Sequence, residues 1–289
     1  MIMFVSQKAL LLVATLFVSF VNRAATETLS GDYLGQIPPG KVAKPFAPGI
    51  VSTEFYELAG VFTPDMKEFY FIRNGGEIAQ SSLVVMRNIN GTWQESFVSK
   101  RIGTPMMSPD GKVMHLGRRY MQRNQEGWGE VAKLDAPFAE LPIMRLSSSQ
   151  QGTYFFDEFN EDLTGDIRYS RLVDGKYQPP KLVSTNINNG RAFHPFIAPD
   201  ESYLIFDSTR EGGFGGSDLY ISYRLDNGSW GNPINLGEGI NSPGWDALGT
   251  VTPDGKYMFF NRNINPDNYD NVDILWVSAE FIDALKPKA

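Results

Sequence analysis

The chain has 289 residues and a net charge of −7, from 26 Lys and Arg against 33 Asp and Glu, and it contains no cysteine. The acidic balance argues against duplex nucleic acid as a partner, because affinity for nucleic acid comes largely from a basic surface. The lack of cysteine excludes disulfides, thiolate metal ligands and a cysteine nucleophile, so the fold must be stable through its core alone.

The N-terminal residues have the pattern of an export signal. Lys8 precedes a small and apolar run over residues 9–21, and polar sequence returns at 22–25. This pattern predicts a signal peptide over residues 1–25, with an uncleaved N-terminal anchor as the alternative. We therefore expect a periplasmic or secreted protein that is not integral to the membrane. Residues 26–43 are predicted to be an N-terminal linker, and 44–289 a single domain.

An acidic turn recurs along the chain, each time between a short apolar stretch and an aromatic strand. Its copies are centred on Asp65, Asp110, Asp200 and Asp254, and a degenerate copy is centred on Ser149. The copies lie 39 to 54 residues apart, in or slightly beyond the range of a propeller blade. The spacing predicts an internal repeat, and we number the copies repeats 1 to 5 in chain order.

The best-formed copy, repeat 4, predicts four consecutive antiparallel strands. They are expected at 193–198, 203–206, 218–223 and 230–236, with a Pro-Asp turn at 199–202 and a tight hairpin at 226–228. An aromatic follows the equivalent hairpin in four repeats, where it is expected to pack between adjacent sheets: Trp93, Trp128, Tyr177 and Trp230.

Repeat 5 lacks its fourth strand, and the missing piece is found at the other end of the chain. No turn, aromatic and Pro-containing strand follow residues 272–277, whereas residues 44–50 resemble the fourth strand at 232–238. A strand from the N-terminal end would complete the last sheet and cover its open edge. The sequence thus predicts an all-β propeller of five four-stranded blades closed by an N-terminal strand. A sixth, degenerate blade around 26–56 is the alternative.

The Pro-Asp-Gly turns, Gly-Gly-Ser-Asp-Leu-Tyr at 215–220 and Trp-Gly-Asn-Pro at 230–233 resemble the repeat of the TolB-type, WD-like β-propeller family over about residues 44–278. The resemblance implies an exported propeller. The superfamily includes periplasmic protein-binding propellers, propellers fused to peptidoglycan-binding domains and, more distantly, sugar-acid lyases. TolB-like propellers usually have six blades, where this chain predicts five.

In a propeller, the loops that enter inner strands and those that leave second strands share one face, which usually holds the ligand site. This plan brings several arginines to one face of an acidic protein, where guanidinium groups would pair with carboxylate, sulfate or phosphate. The alternative is that each arginine pairs with an acidic neighbour such as Glu57, Glu158, Asp207 or Asp246. The predicted ligand-binding residues are Arg73, Arg118, Arg191, His194, Arg210, Asp246 and Arg262.

His194 is the candidate general base if the protein is an enzyme, because its pKa suits proton transfer near neutrality. A structural histidine is the alternative. His115 is the only other histidine, so no zinc site of His and Cys ligands is expected. Residues 267–273 are rich in oxygen ligands and suggest calcium, with backbone capping by Asp166, Asp218 and Asp273 as the alternative; no other cofactor is expected. The glycine-rich loop 212–216 is expected to expose Phe214.

These observations predict an exported, non-catalytic propeller that binds a protein partner or an acidic glycan through its arginine-bearing face. The competing hypothesis is an enzyme acting on acidic polysaccharide, either a lyase or a glycoside hydrolase, which would use His194 together with the arginines.

Overall fold

The computed structural model describes residues 29–160, 165–265 and 268–288, so the predicted signal peptide lies outside it. Nearly all of its regular structure is β, which confirms the all-β prediction. The described ranges contain three short helical turns, a 3-10 turn at Asp32–Gly35 and the helices α1 (Thr185–Asn188) and α2 (Phe281–Ala284). Within these ranges, no helix has the length and the apolar character needed to cross a membrane.

Within each repeat the main strands pair antiparallel in chain order from the inner strand outwards. The strands are β1 (Lys44–Pro45); in repeat 1, β2 (Tyr56–Phe62), β3 (Glu68–Gly75), β4 (Ile78–Ile89) and β5 (Thr92–Lys100); in repeat 2, β6 (Pro105–Met107), β7 (Val113–Leu116), β8 (Arg119–Asn124), β9 (Gly127–Trp128) and β10 (Ala132–Lys133); in repeat 3, β11 (Ile143–Ser148), β12 (Tyr154–Glu158), β13 (Ile167–Ser170), β14 (Leu172–Val173), β15 (Lys176–Tyr177) and β16 (Lys181–Leu182); in repeat 4, β17 (Ala192–Ile197), β18 (Tyr203–Ser208), β19 (Asp218–Tyr223) and β20 (Ile234–Asn235); in repeat 5, β21 (Asp246–Val251), β22 (Tyr257–Asn263) and β23 (Val272–Ser278). Of these, β9 is a short partner of β8, and β14–β15 is a separate hairpin. Repeats 1 and 5 are joined into one sheet, because β2 pairs in parallel with β23 at Tyr56 and Val272.

The acidic turns connect each inner strand to the second strand as the sequence predicts. In four repeats the aspartate accepts a hydrogen bond from the backbone N–H two residues further on, for example Lys67 N to Asp65 Oδ1 at 3.1 Å and Ser202 N to Asp200 Oδ1 at 3.0 Å. This local bond fixes the turn without help from the rest of the chain.

The inner strands succeed one another around a common axis, the arrangement of a propeller. Contacts run from β2 to β6, β11, β17 and β21 in turn, and β21 contacts β2. The hairpin aromatics lie between neighbouring repeats, as predicted, at two clear positions. Trp128 of repeat 2 donates from Nε1 to the Tyr70 hydroxyl of repeat 1 at 2.8 Å, and Trp230 of repeat 4 meets Phe155 of repeat 3 edge to face.

The N-terminal segment packs against repeats 1 and 5. β1 pairs antiparallel with β23, opposite Leu275 and Trp276, and the buried ring of Phe46 lies 5.2 Å from the Trp276 ring. The described part of the 26–43 segment, expected as a linker, is also packed. Tyr33 and Leu34 are buried, and Trp93 Nε1 donates to the Gly31 carbonyl at 2.8 Å.

Candidate functional site

The predicted site residues lie at one end of the sheets, where inner strands begin and second strands end. Glu57 stands opposite Arg73 in the β2–β3 pair, and Asp246 stands opposite Arg262 in the β21–β22 pair. We call this end the arginine face. The opposite end, which carries the acidic turns, is the turn face.

Arg73 and Arg262 are engaged in ion pairs rather than held free. Arg73 Nε lies 3.2 Å from Glu57 Oε1, and its NH2 donates to the Ile50 carbonyl at 2.5 Å. Arg262 repeats the pattern, since Nε lies 2.7 Å from Asp246 Oδ1 and NH2 donates to a backbone carbonyl, that of Ile240, at 2.7 Å. For these two residues the structure has the alternative arrangement, in which an acidic neighbour balances each arginine.

Arg210 lies two residues beyond the equivalent position, which Ser208 occupies, and it has no acidic partner in the described part of the chain. Its guanidinium lies 5.2 Å from the Phe206 ring centroid and 4.7 Å from that of Tyr220, and NH2 donates to the Ile187 carbonyl at 2.7 Å. Burial lowers the pKa of Arg210 from its usual value. In repeats 1, 4 and 5, an arginine in or just after the second strand therefore donates a hydrogen bond to a backbone carbonyl of the segment that precedes the inner strand.

Arg118 and Arg191 are the predicted arginines that stay available. Both are exposed, and neither side chain has a hydrogen-bond or ion-pair partner in the described part of the chain. They are the cations of this set that could meet a ligand without breaking a structural contact.

Exposed aromatic side chains accompany them on the arginine face. Phe159, Phe214 and Tyr269 are 48%, 47% and 59% exposed, and each follows the second strand of its repeat, in repeats 3, 4 and 5. The Tyr269 ring contacts that of Trp245 edge to face at 5.9 Å. Of these three aromatics, the sequence predicts exposure only for Phe214. Tyr269 stands in the oxygen-rich segment 267–273, whose pattern suggests calcium and gives no sign of an exposed ring.

His194 forms a dyad with Asp207 near the axis. Nδ1 lies 2.9 and 3.0 Å from the two Asp207 carboxylate oxygens, while Nε2 has no hydrogen-bond partner among residues 29–160, 165–265 and 268–288. The side chain is 13% exposed. Burial opposes the charged imidazolium, but the Asp207 carboxylate outweighs it, and the net effect raises the pKa of His194.

The backbone of His194 belongs to a bulge that recurs in the inner strands. Register shifts occur at the same place in β2, β11, β17 and β21, and φ is positive at Ala59, His194 and Leu248. The bulged N–H groups donate to side chains of second strands: His194 N to Asp157 at 3.0 Å, Leu248 N to Asp207 at 3.0 Å and Ala59 N to Asn261 at 2.8 Å. The strained backbone at His194 is thus a feature of the repeat.

The acidic side chains of the arginine face are used in structural contacts. Asp157 accepts from two backbone N–H groups, Asp246 accepts from Ser242 and Arg262, and Glu57 accepts from Thr53 and Arg73. Glu158 pairs with Arg168 at 2.9 Å. These contacts leave no pair of free, convergent carboxylates of the kind a glycoside hydrolase needs in the described part of this face.

In the oxygen-rich segment, the Oδ1 atoms of Asn271 and Asp273 are buried without a hydrogen-bond partner among the described residues. Asp218 accepts from Phe214 N at 2.6 Å and from Gly215 N at 3.1 Å, which is the capping alternative at the start of β19. Asp267 lies outside the described residues, and among the described ones no group of three His, Asp or Glu side chains is placed to hold a metal ion. Burial, followed by the charge of Glu57, raises the pKa of Asp273 to about 6.

Comparison with known proteins gives structural likenesses and no family. No protein-family model matches the chain, and no curated protein matches it. The chain is similar to a putative TolB from Agrobacterium tumefaciens, at 18% identity and a TM-score of 0.48 over 78% of this chain and 77% of that one. It is also similar to a gluconolactonase from Xanthomonas campestris, at 12% identity and a TM-score of 0.47 over 77% of this chain and 85% of that one. A third similar structure is an alpha-L-arabinofuranosidase from Lactobacillus brevis, at 12% identity and a TM-score of 0.48 over 78% of this chain and 91% of that one. These names denote different activities, so they assign none to this chain.

Proposed function

We propose that the chain is an exported five-bladed propeller that binds a protein partner through its arginine face. The count of five is supported by the cyclic contacts of the five inner strands. Closure by an N-terminal strand is supported by the pairing of β1 with β23. Export is supported by the signal-like pattern of residues 1–25.

The observation that carries the proposal is the set of exposed aromatics in the loops that follow the second strands of three consecutive repeats. Phe159, Phe214 and Tyr269 each follow a second strand and are about half exposed. Aromatic side chains and arginine are enriched in the central parts of protein interfaces, and exposed apolar groups on one face mark interaction sites. Arg118 and Arg191 add unpaired positive charge to the same face. A partner surface with apolar pockets and acidic residues would fit it.

A protein partner is favoured over an acidic glycan by the state of the other arginines. A glycan site would need several guanidinium groups free to bind anionic groups bidentately. Arg73 and Arg262 already pair with Glu57 and Asp246, and recruiting them would leave two buried carboxylates without these ion-pair partners.

The enzymatic alternative has one specific observation in its favour, the His194–Asp207 dyad. A histidine oriented by a carboxylate through Nδ1, with Nε2 unpartnered, is the arrangement of a general base. In that case His194→Ala would abolish turnover of an acidic polysaccharide. In a binding module the same variant would leave partner capture intact.

The test is selective capture of exported proteins of the source organism on the immobilised chain from residue 26. The double variant Phe214→Ser with Tyr269→Ser should lose at least about tenfold of any specific partner, because truncating interface anchors typically costs about 2 kcal/mol each. The matched control is Leu172→Ser with Val173→Ser, which changes similarly exposed apolar residues of another hairpin. Equal capture by the two double variants would contradict the proposed surface.

A further inference from the structure

The inner strands line a cavity of about 250 Å³ on their axis, which opens at the turn face. Every repeat contributes to its wall, and prolines of four acidic turns, such as Pro64 and Pro199, stand among its lining residues. The wall is mainly apolar, with Val61 and Phe196 on it, and the hydroxyl-bearing residues Ser147 and Thr250 are among its lining residues. The proposed partner surface lies at the opposite end of the sheets and does not use this cavity.

A buried arginine lies behind the cavity wall. Arg145 is 0% exposed; its NH2 donates to the Thr250 hydroxyl and lies 3.1 Å from Met106 Sδ, and its NH1 donates to the His194 carbonyl at 3.2 Å. Thr250 and Met106 both line the cavity, so this guanidinium adjoins it directly.

The guanidinium is incompletely satisfied. Nε of Arg145 has no hydrogen-bond partner, and no carboxylate of the described chain lies within 4.0 Å of its nitrogens. A buried cation without an ion-pair partner is costly unless a counter-charge approaches it. Burial lowers the pKa of Arg145 to about 10, and the Asp207 and Asp157 carboxylates oppose this from a longer range. Both carboxylates already bond to the bulged strand and to His194.

Two hydroxyl groups of the lining residues are free to donate a hydrogen bond to a ligand. Thr250 Oγ1 accepts from Arg145, so its own proton is directed elsewhere, and its nearest acceptor is Met106 Sδ at 3.8 Å, a weak one. Ser147 Oγ accepts from Ile197 N–H at 3.1 Å and likewise keeps its proton for another acceptor. A hydroxyl that accepts from a cation is polarised and becomes a stronger donor.

We propose that this axial cavity binds a carboxylate carried on an apolar group. The carboxylate accepts hydrogen bonds from the Thr250 and Ser147 hydroxyls and offsets the Arg145 charge behind them, while the apolar group lies against Phe196, Val61 and the turn prolines. Since an apolar cavity of about 150 Å³ holds benzene, this one has room for a phenylpropionate-sized group. The source is either a free small acid or the C-terminal residue of a peptide.

The test measures binding of 3-phenylpropionate and its neutral amide by isothermal titration calorimetry. The acid should bind at least about tenfold more tightly than the amide, since hydrogen bonds to a charged group are worth about 1.5–3 kcal/mol. Thr250→Val, of similar volume, should weaken the acid about tenfold, and Thr250→Ser, which keeps the hydroxyl, should stay within about threefold of wild type. If Thr250→Val does not unfold cooperatively, Ser147→Ala replaces it with the same expectation.

A second arm identifies the source of the carboxylate with N-acetyl-Ala-Ala-Phe and its C-terminal amide. Tighter binding of the peptide acid than of 3-phenylpropionate assigns the site to a peptide C-terminus, and the reverse assigns it to a free acid. Equal affinity of acids and amides, an unchanged affinity in Thr250→Val, or no binding of any probe at about 10 mM would overturn the proposal. Phe214→Ser with Tyr269→Ser leaves this binding unchanged, which separates it from the partner surface.

Discussion

Acidification should destabilise the fold through His115, a buried histidine that cannot easily become charged. His115 lies in β7 and is 1% exposed; Nε2 lies 3.2 Å from the Ser148 hydroxyl, and Nδ1 has no partner among the described residues. Its ring meets that of Tyr154 edge to face at 5.1 Å. Burial lowers the pKa of His115 to about 4, and the nearby Asp110 carboxylate opposes this only weakly.

The sign of the effect follows from which state binds the proton. Below an unfolded pKa of about 6.5 the unfolded chain protonates this histidine, while the folded chain leaves it neutral down to about 4. The stability contribution is therefore fully present above about pH 6.5 and is lost as the pH falls through that window. Between about pH 7.5 and pH 5 the free energy of unfolding should fall by about 2 kcal/mol from this residue alone.

The assay is urea unfolding followed by tryptophan fluorescence at both pH values, for wild type and His115→Gln. Subtracting the two proteins cancels all other titrating groups, including His194, whose raised pKa has the opposite sign and stabilises the fold at low pH. The wild-type advantage over the variant should shrink by about 2 kcal/mol at the lower pH. A pH-independent difference would show that His115 is not held neutral in the folded chain.

Three further substitutions test one partly buried charge and two sets of contacts between distant segments of the chain. Asp273→Asn should stabilise the fold by about 1–2 kcal/mol at about pH 8, where the partly buried Asp273 carboxylate is ionised near Glu57. The gain should shrink below the Asp273 pKa of about 6, which thermal unfolding at several pH values would measure. Asn261→Ala removes hydrogen bonds to three backbone groups of repeats 1 and 5 and should cost about 2–4 kcal/mol in urea unfolding. Asn88→Ala, which removes one exposed hydrogen bond near the end of β4, should cost less than about 1 kcal/mol. Phe46→Ala removes the aromatic ring that packs between the N-terminal segment and β23, and it should lower the free energy of unfolding by about 3–5 kcal/mol. Phe214→Ala, at an exposed position, should lower it hardly at all. Equal losses in the two variants would contradict closure by the N-terminal strand.

The sequence predicted the elements whose causes are local. In repeat 4 the expected strands at 193–198, 203–206 and 218–223 correspond to Ala192–Ile197, Tyr203–Ser208 and Asp218–Tyr223, because turn chemistry and apolar runs fix them within a few residues. The fourth strands were overextended: 230–236 is paired as a strand only at Ile234–Asn235, and 44–50 only at Lys44–Pro45. These are outer strands that contain proline, which has no N–H to donate to a ladder.

The candidate site was less predictable because its contacts join distant segments. Arg73 is paired with a carboxylate 16 residues away and donates a hydrogen bond to the carbonyl of Ile50, 23 residues away. No local sequence pattern predicts such contacts. Arg145 is the one charged residue of β11, but the strand pattern does not show what its side chain contacts. Its position behind an axial cavity depends on Met106 and Thr250, which come from repeats 2 and 5.

The five repeats are not equivalent around the axis, and the difference bears on where ligands bind. The second strands of repeats 3, 4 and 5 carry Asp157, Asp207 and Asn261, which hold the bulged inner strand of the following repeat; Ile72 and Gly117 stand at this position in repeats 1 and 2. Polar crosslinks thus join repeats 3, 4, 5 and 1. The same repeats 3 to 5 expose the aromatic loops, so the side of the ring with buried polar joints is the side that presents the proposed partner surface. Since loops bind best when a rigid frame positions them, weakening one of these joints should impair partner capture without any contact to the partner.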